Sequence, residues 1–390
     1  MPNAVIVSAV RTAIGTTRKG TFADTPAEVL AQVVLEEAVR RSGLAPALVD
    51  DVIFAESLYG GGAVARYAAV KAGLITAGGQ AVNRHCAGSL TSVGIAAGSI
   101  RAGMDRAIVA GGVQANSMSP RLLWRDPMSD EYSRAGMAPT HPETPDAPAA
   151  DMTITVGWNT AQAVGISREA MDAWALRSHQ RAIAAIDAGR FVEEIAPVKA
   201  SRRDGSIVDF KVDEHPRRDS SLERMASLKP IHPEIEGFSI TPGNSSGVND
   251  AAAALMIVDD ELARAEGLKP LATIRSWASV GIDPRLTGMA VIDVIPKVLA
   301  RAGVSLSDIA LWEINEAFAS VPIAACERLG IDDAIVNTSG SGCSLGHPVA
   351  ASGARMLTTL IYELRRRGGG LAVATMCAGG GQAGAVLIEV

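Results

Sequence analysis

The chain has 390 residues, a formal net charge of -6, 48% hydrophobic and 20% charged residues. Its length predicts two domains or two fused halves, and its composition excludes a mostly disordered chain. The acidic balance leaves no basic excess for nucleic acid, and no unbroken apolar run is long enough to cross a bilayer.

Aromatic residues make up 4% of the chain, while glycine reaches 39 residues, which predicts cores of small aliphatic side chains with close backbone approaches. The run Ala4 to Ala9 reads as a strand and lacks the basic start and apolar stretch of a secretory signal. Residues 34–54 then read as a helix, a break at Gly43-Leu44, an acidic turn and a strand. Residues 295–314 repeat that order with the break at Gly303-Val304. Residues 80–113 give a strand, a cysteine elbow, a helix from Ala87 to Ala102 and the strand Ala107 to Ala110. Residues 334–381 give the counterpart, with a helix from Val349 to Arg366 and a strand from Leu371 to Met376 before three glycines. This strand–helix–strand order predicts a duplicated α/β core with mainly parallel sheets.

The intervening segment, 119–245, is rich in Pro, Trp and charge, with one amphipathic helix over Ser167 to Ala188 and Ser167 as its N-cap. A long insertion between core halves is expected to cover an active site; a solvated excursion is the competing reading.

The cysteines are Cys86, Cys326, Cys343 and Cys377, without CxxC or zinc spacing, which points to a reducing compartment. Cys86 precedes a helix that is small or apolar all round, so it is expected at the amino end of a buried helix, where the dipole and free N–H groups favour thiolate. A buried structural cysteine is the alternative. His347 sits in a glycine-flanked loop before Pro348, suited to a base near neutral pH or simply packed there. Asn315 follows a strand at the start of Asn-Glu-Ala-Phe, as a site residue or an Asx turn opening the helix Ala317 to Arg328. Cys377 ends a strand before three glycines whose N–H groups can approach a ligand oxygen closely.

Together these stretches resemble the thiolase family along nearly the whole chain. The landmarks run in order: VRTAIGTTRKGTF (10–22), VNRHCAGSL (82–90), AGG (110–112), SSLERMASLKP (220–230), GNSSGVNDAAAAL (243–255), NEAFA (315–319), GHP (346–348) and CAGGGQ (377–382). The resemblance implies an α/β thiolase-like duplicated core with two mixed, mainly parallel sheets in a five-layer α-β-α-β-α arrangement. Residues 1–118, completed by about 246–268, would form one half, 269–390 the other, and 119–245 an inserted loop domain over the active site. It implies reversible Claisen condensation or thiolysis of 3-oxoacyl-CoA. Cys86 would be the acyl-carrying nucleophile and Cys377 the acid/base. His347 and an Asn315-held water would form one oxyanion hole, and the N–H groups of Cys86 and Gly379 the other. Ser246, Arg217 and Phe318 would contact CoA. Coenzyme A and acyl-CoA would be substrates, with no permanently bound cofactor, in a cytoplasmic homodimer or homotetramer without nucleic-acid or membrane partners.

Three stretches depart from the family pattern. Ser341, Cys343 and Ser344 replace glycine, apolar or small residues before His347. Thr287 stands where the family has a methionine of the acyl pocket, which implies an altered acyl preference. The family's His-Met-Gly-x-Thr-Ala-Glu-Asn reads Asp151-Met152-Thr-Ile-Thr-Val-Gly157-Trp158-Asn159 here. A decarboxylating ketoacyl synthase would carry a second histidine in place of NEAF and lack the late cysteine. A non-catalytic CoA- or lipid-binding relative would be free to lose Cys86, His347 or Cys377; all three are kept.

Overall fold

The computed structural model describes residues 2–57, 63–136 and 138–390. The first half contributes strands β1 (Ala4–Arg11), β2 (Asp51–Ala55), β3 (Gln80–Val82), β4 (Ala107–Ala115) and β5 (Asn249–Asp259). The second contributes β6 (Ala272–Gly281), β7 (Ile309–Ile314), β8 (Leu371–Ala378) and β9 (Gln382–Glu389). Their order is β7-β8-β9-β6-β1-β5-β4-β2-β3. Val336 forms a parallel bridge to Trp312 on the far side of β7, in the place that β3 takes beside β2. The two halves therefore carry one topology twice, as the internal repeat predicts.

Two features refine the expected pair of mainly parallel sheets. The outer pairs β2–β3, β2–β4 and β7–β8 are parallel, while the pairs nearer the centre are antiparallel. The β8–β9 pair must be antiparallel because a three-residue turn permits no crossover. The two sheets also share hydrogen bonds, through Val5↔Thr273 and Ile6↔Ala272 of β1 and β6. A two-residue ladder leaves no pattern in sequence.

Helices α1 (Ala27–Ser42) and α2 (Val64–Lys71) belong to the first half. Helix α3 (Gly88–Arg101) follows the cysteine elbow. The insertion holds α4 (Arg168–Asp187), capped by Ser167 Oγ accepting from Ala170 N (3.2 Å). The second half adds α5 (Ala290–Ala302), α6 (Ser320–Leu329) and α7 (Ser352–Arg367). Gly43 and Gly303 end α1 and α5 in the left-handed conformation, as their sequence positions predict.

One buried cluster joins α1 and α2 to the first sheet, and a second joins α5 and α6 to the other. The third contains α3 and α7 with strands of both halves, which makes them the shared middle layer. That position explains the small residues of α3. A Cβ on Gly94 would lie 2.7 Å from Trp277 Cδ1 of β6. Burial of these layers is the main stabilising term.

The insertion is fastened to the core by a buried ion cluster. Arg11 of β1 grips Asp213 with two nitrogens (2.8 and 2.9 Å) and Glu194 with Nε (2.7 Å), all fully buried. Such bidentate pairs fix direction as well as distance. No described helix is long and apolar enough to cross a membrane.

Candidate active site

The site forms where the halves meet. From the first half comes Cys86, in a short 3₁₀ turn (His85–Ala87) just before α3. His85 has φ +43°, a sparsely populated conformation for a non-glycine residue. Asn83 Oδ1 accepting from His85 N (2.9 Å) and Ser57 Oγ donating to His85 O (3.0 Å) hold this elbow.

From the second half come Cys377, at the end of β8, and the turn Gly379–Gly381. Gly380 and Gly381 have φ near +81° and +74°, and a Cβ on Gly381 would stand 2.3 Å from Ile282 O. Only glycine fits there. His347 is seated across the seam: its backbone N donates to Asn249 Oδ1 of β5 (3.0 Å).

Cys86, His347, Cys377, Gly379, Ser246, Arg217 and Phe318 all line one cavity of about 720 Å³. Asn315 is not in its wall; it lies behind, with Nδ2 3.4 and 3.5 Å from the two ring nitrogens of His347. Its Oδ1 is buried without a partner among the described residues.

Sequence reasoning missed Ser352. Its Oγ lies 2.6 Å from His347 Nδ1 and donates to Pro348 O (3.0 Å). A hydroxyl that donates to the carbonyl must accept from Nδ1–H, which leaves the Nε2 lone pair free as a base. The available signal is a serine opening α7 five residues after the histidine. Burial, reinforced by the Arg355 charge, lowers His347 to about 3, so the ring is neutral.

The ionisation of Cys86 corrects the sequence expectation. Burial raises its thiol to about 11, opposed by the N–H groups of Cys86 and Gly379. The sulfur is half-buried on the cavity wall, and its desolvation there outweighs those two donors, so the resting sulfur is a thiol. Burial also pushes the Cys377 thiol far up, with Cys86 adding to the shift. Both sulfurs thus wait protonated beside a neutral base.

The departures before His347 have structural partners. Ser341 Oγ donates to Glu313 Oε2 (3.1 Å) and accepts from Arg355 Nη2 (3.2 Å). Burial raises Glu313 to about 7, against the pull of Arg355. Ser344 Oγ meets Ser178 Oγ of α4 (2.7 Å), and Ser178 also donates to Glu316 Oε2 (2.6 Å). These hydroxyls wire the histidine loop to the insertion, while Cys343 faces the cavity. Thr287 does not line the cavity, contrary to expectation. Its Oγ1 accepts from Gly381 N (3.0 Å) and donates to Pro284 O (2.6 Å), bracing the glycine turn. Trp158 is also outside the cavity wall, packed on Phe238 with ring centroids 5.1 Å apart.

The cavity is also lined by buried His179, half-buried His215 and exposed Arg217, Asp219 and Arg224. Arg224 pairs with Asp219, and Arg218 pairs outward with Asp187 (2.9 Å).

Family models for the thiolase N-terminal domain and the thiolase C-terminal domain match residues 4–261 and 268–390. The chain is 41% identical over 401 residues to an acetyl-CoA acetyltransferase of Escherichia coli strain K12, covering 100% of this chain and 99% of the relative. It is 38% identical to the cytosolic acetyl-CoA acetyltransferase of Mus musculus, with 99% and 98% covered. The crystal structure of the Bacillus anthracis acetyl-CoA acetyltransferase superposes with TM-score 0.92 at 38% identity, covering 100% of this chain and 99% of that one. With two matched models spanning a duplicated fold, and two thiols and an imidazole facing one cavity at its seam, the chain belongs to the thiolase family.

Proposed function

We propose that this thiolase is an acyltransferase that cleaves 3-oxoacyl-CoA with CoA, and runs the reverse condensation, through an acyl group on Cys86. The carrying observation is the convergence of Cys86, His347, Cys377 and the Gly379 N–H on one cavity.

In cleavage, His347 Nε2 takes the Cys86 proton as the sulfur attacks the 3-oxo carbon. The N–H groups of Cys86 and Gly379 hold the oxyanion. The C2–C3 bond breaks, and its electrons form an enolate on the departing thioester, whose oxygen faces the His347–Asn315 side. Cys377 gives its proton to C2, releasing acetyl-CoA. The thiol of CoA then gives its proton to the Cys377 thiolate and attacks the acyl carbon. Cys86 leaves and recovers its proton from His347. Cys86 recovers its own proton, while the proton that Cys377 gave to C2 leaves with acetyl-CoA and is replaced by the one from the CoA thiol. Both thiols being protonated at rest suits this order, because each thiolate is needed only within a step.

Ser246 and Phe318 are read as contacts of the pantetheine, and Arg217, within the insertion 119–245, as a contact of the adenine nucleotide. The wall also holds Met152, Val156, Phe318, Val349 and Ala378, and its described Arg and Asp residues lie in 217–224. An uncharged acyl group is therefore the preferred cargo. The family resemblance carries three finer readings: a homodimer or homotetramer, a cytoplasmic site, and a role in fatty acid metabolism such as β-oxidation. The outer-edge position of β3 supports assembly of subunits.

Loss of acetoacetyl-CoA enolate absorbance on mixing with CoA tests the activity. A panel of longer, branched and dicarboxylic 3-oxoacyl thioesters then tests the cargo. Activity toward none of the panel would overturn the assignment; preference for the dicarboxylates would overturn the uncharged cargo.

A further inference from the structure

Two departures from the family pattern, Asp151 and Trp158, meet one loop of the insertion. That loop runs from Ile231 to Ile240 and is closed at its neck by Ile231 N donating to Ile240 O (2.9 Å). Its tip rests on a π-helix, Thr153–Trp158. π-Helical turns are rare and frequent at functional sites. At one end, His232 Nε2 meets Asp151 Oδ2 (2.7 Å). At the other, Phe238 stacks on Trp158 and also receives the edge of the His232 ring at 5.0 Å.

The second ring nitrogen, Nδ1, meets Glu234 Oε1 at 2.8 Å. Both nitrogens therefore face carboxylate oxygens, which only accept. A neutral imidazole has one N–H and satisfies one of these contacts; an imidazolium satisfies both. Asp151 and Glu234 are the charged groups that bear on the ring, and Phe238 packs perpendicular to it. The other oxygen of Asp151 accepts from Thr153 N (3.0 Å) and Thr153 Oγ1 (2.6 Å), so the same carboxylate pins the start of the π-helix.

Both clasped segments supply cavity wall: Met152, Thr153 and Val156 on one side, Ile231 on the other. Met152 Sδ lies 3.9 Å from where a Cβ on Gly379 would stand, beside the oxyanion donor. We propose that Asp151, His232 and Glu234 form a proton-dependent clasp that positions the cavity wall at Met152 and Ile231, and thereby sets the grip on the acyl thioester. They are positioning residues and touch no reacting atom. The inference rests on the reading of the cavity as an acyl-CoA site.

The sign follows from the geometry. The hydrogen bond to Glu234, with that to Asp151, raises His232 above its usual 6.5. The clasp is complete below 6.5 and is lost as pH rises through the raised value.

The test has two arms. Nitrogen-15 spectra of the free protein, with His232 assigned by comparison with His232→Gln, should show both ring nitrogens protonated at pH 6.5 and release above it. A ring already neutral at pH 6.5 overturns the clasp. In steady-state assays, the wild-type KM for the acyl thioester should rise across that same titration. His232→Gln should raise KM at pH 6.5 about three- to tenfold, or about 0.7–1.4 kcal/mol, keep kcat within about twofold, and remove the pH limb. Asp151→Asn should match it, and the double variant should add little. A pH limb that persists in His232→Gln overturns the proposal. An inactive wild type would instead sink the thiolase reading while leaving the spectral arm to stand or fall alone.

Discussion

The same strand pair is closed in two different ways in the two halves. In the second, β8 and β9 are joined by Gly379–Gly381; in the first, the equivalent β4 and β5 are separated by residues 116–248. The short closure brings Cys377 and Gly379 to the cavity wall and holds them through backbone register. The long closure brings Arg217, Ser246, Met152 and Ile231 to the walls of the cavity. A duplicated scaffold has thus divided its labour by loop length: rigid backbone for chemistry, a long excursion for recognition.

If that division holds, changes at the elbow and the glycine turn should act on kcat, and changes in the excursion on KM. The largest effect falls on Cys86, the proposed nucleophile. Cys86→Ala should lower turnover by about four to six orders of magnitude, and mass spectrometry after acetyl-CoA should find no acyl adduct. An adduct retained on that variant would refute the assignment. Cys377→Ala comes next, with a loss of about 10²- to 10⁴-fold in condensation while acylation of Cys86 stays detectable. Loss of both steps together would erase the distinction between the two sulfurs.

Thr287→Val sharpens the comparison, because it removes the acceptor of Gly381 N–H without touching the cavity. An unsatisfied buried donor costs about 1–3 kcal/mol, so kcat should fall about tenfold with KM little changed, and Thr287→Ser should restore it. A shift in acyl preference instead would return Thr287 to the pocket. The smallest effect belongs to the excursion: Arg217→Ala should raise KM for CoA about two- to fivefold, less at high salt, with kcat intact. A fall in kcat there would break the division.

Much of this site is legible in the sequence because glycine marks it. Cys86, His347 and Cys377 lie in glycine-flanked stretches, and Gly43 and Gly303 mark the repeat by their spacing alone. What stays hidden depends on register between distant segments. Ser352 looks like any serine opening a helix until its hydroxyl is found on His347 Nδ1. Thr287 and His232 act on partners 94 and 81 positions away. The protonated state of Cys86 is hidden for another reason: its place before a helix is visible in sequence, whereas the desolvation that raises its thiol is a property of the folded cavity wall.

Strand β9 lies between β8, which bears Cys377, and β6, which joins the other half. It follows every other described strand in the sequence. A nonsense codon placed just before β9 would remove the strand that pairs with Cys377 through Ala383 and cut the link from β8 to β6. Genetically, such a lesion should score as a null allele, as severe as loss of the nucleophile nearly three hundred codons upstream.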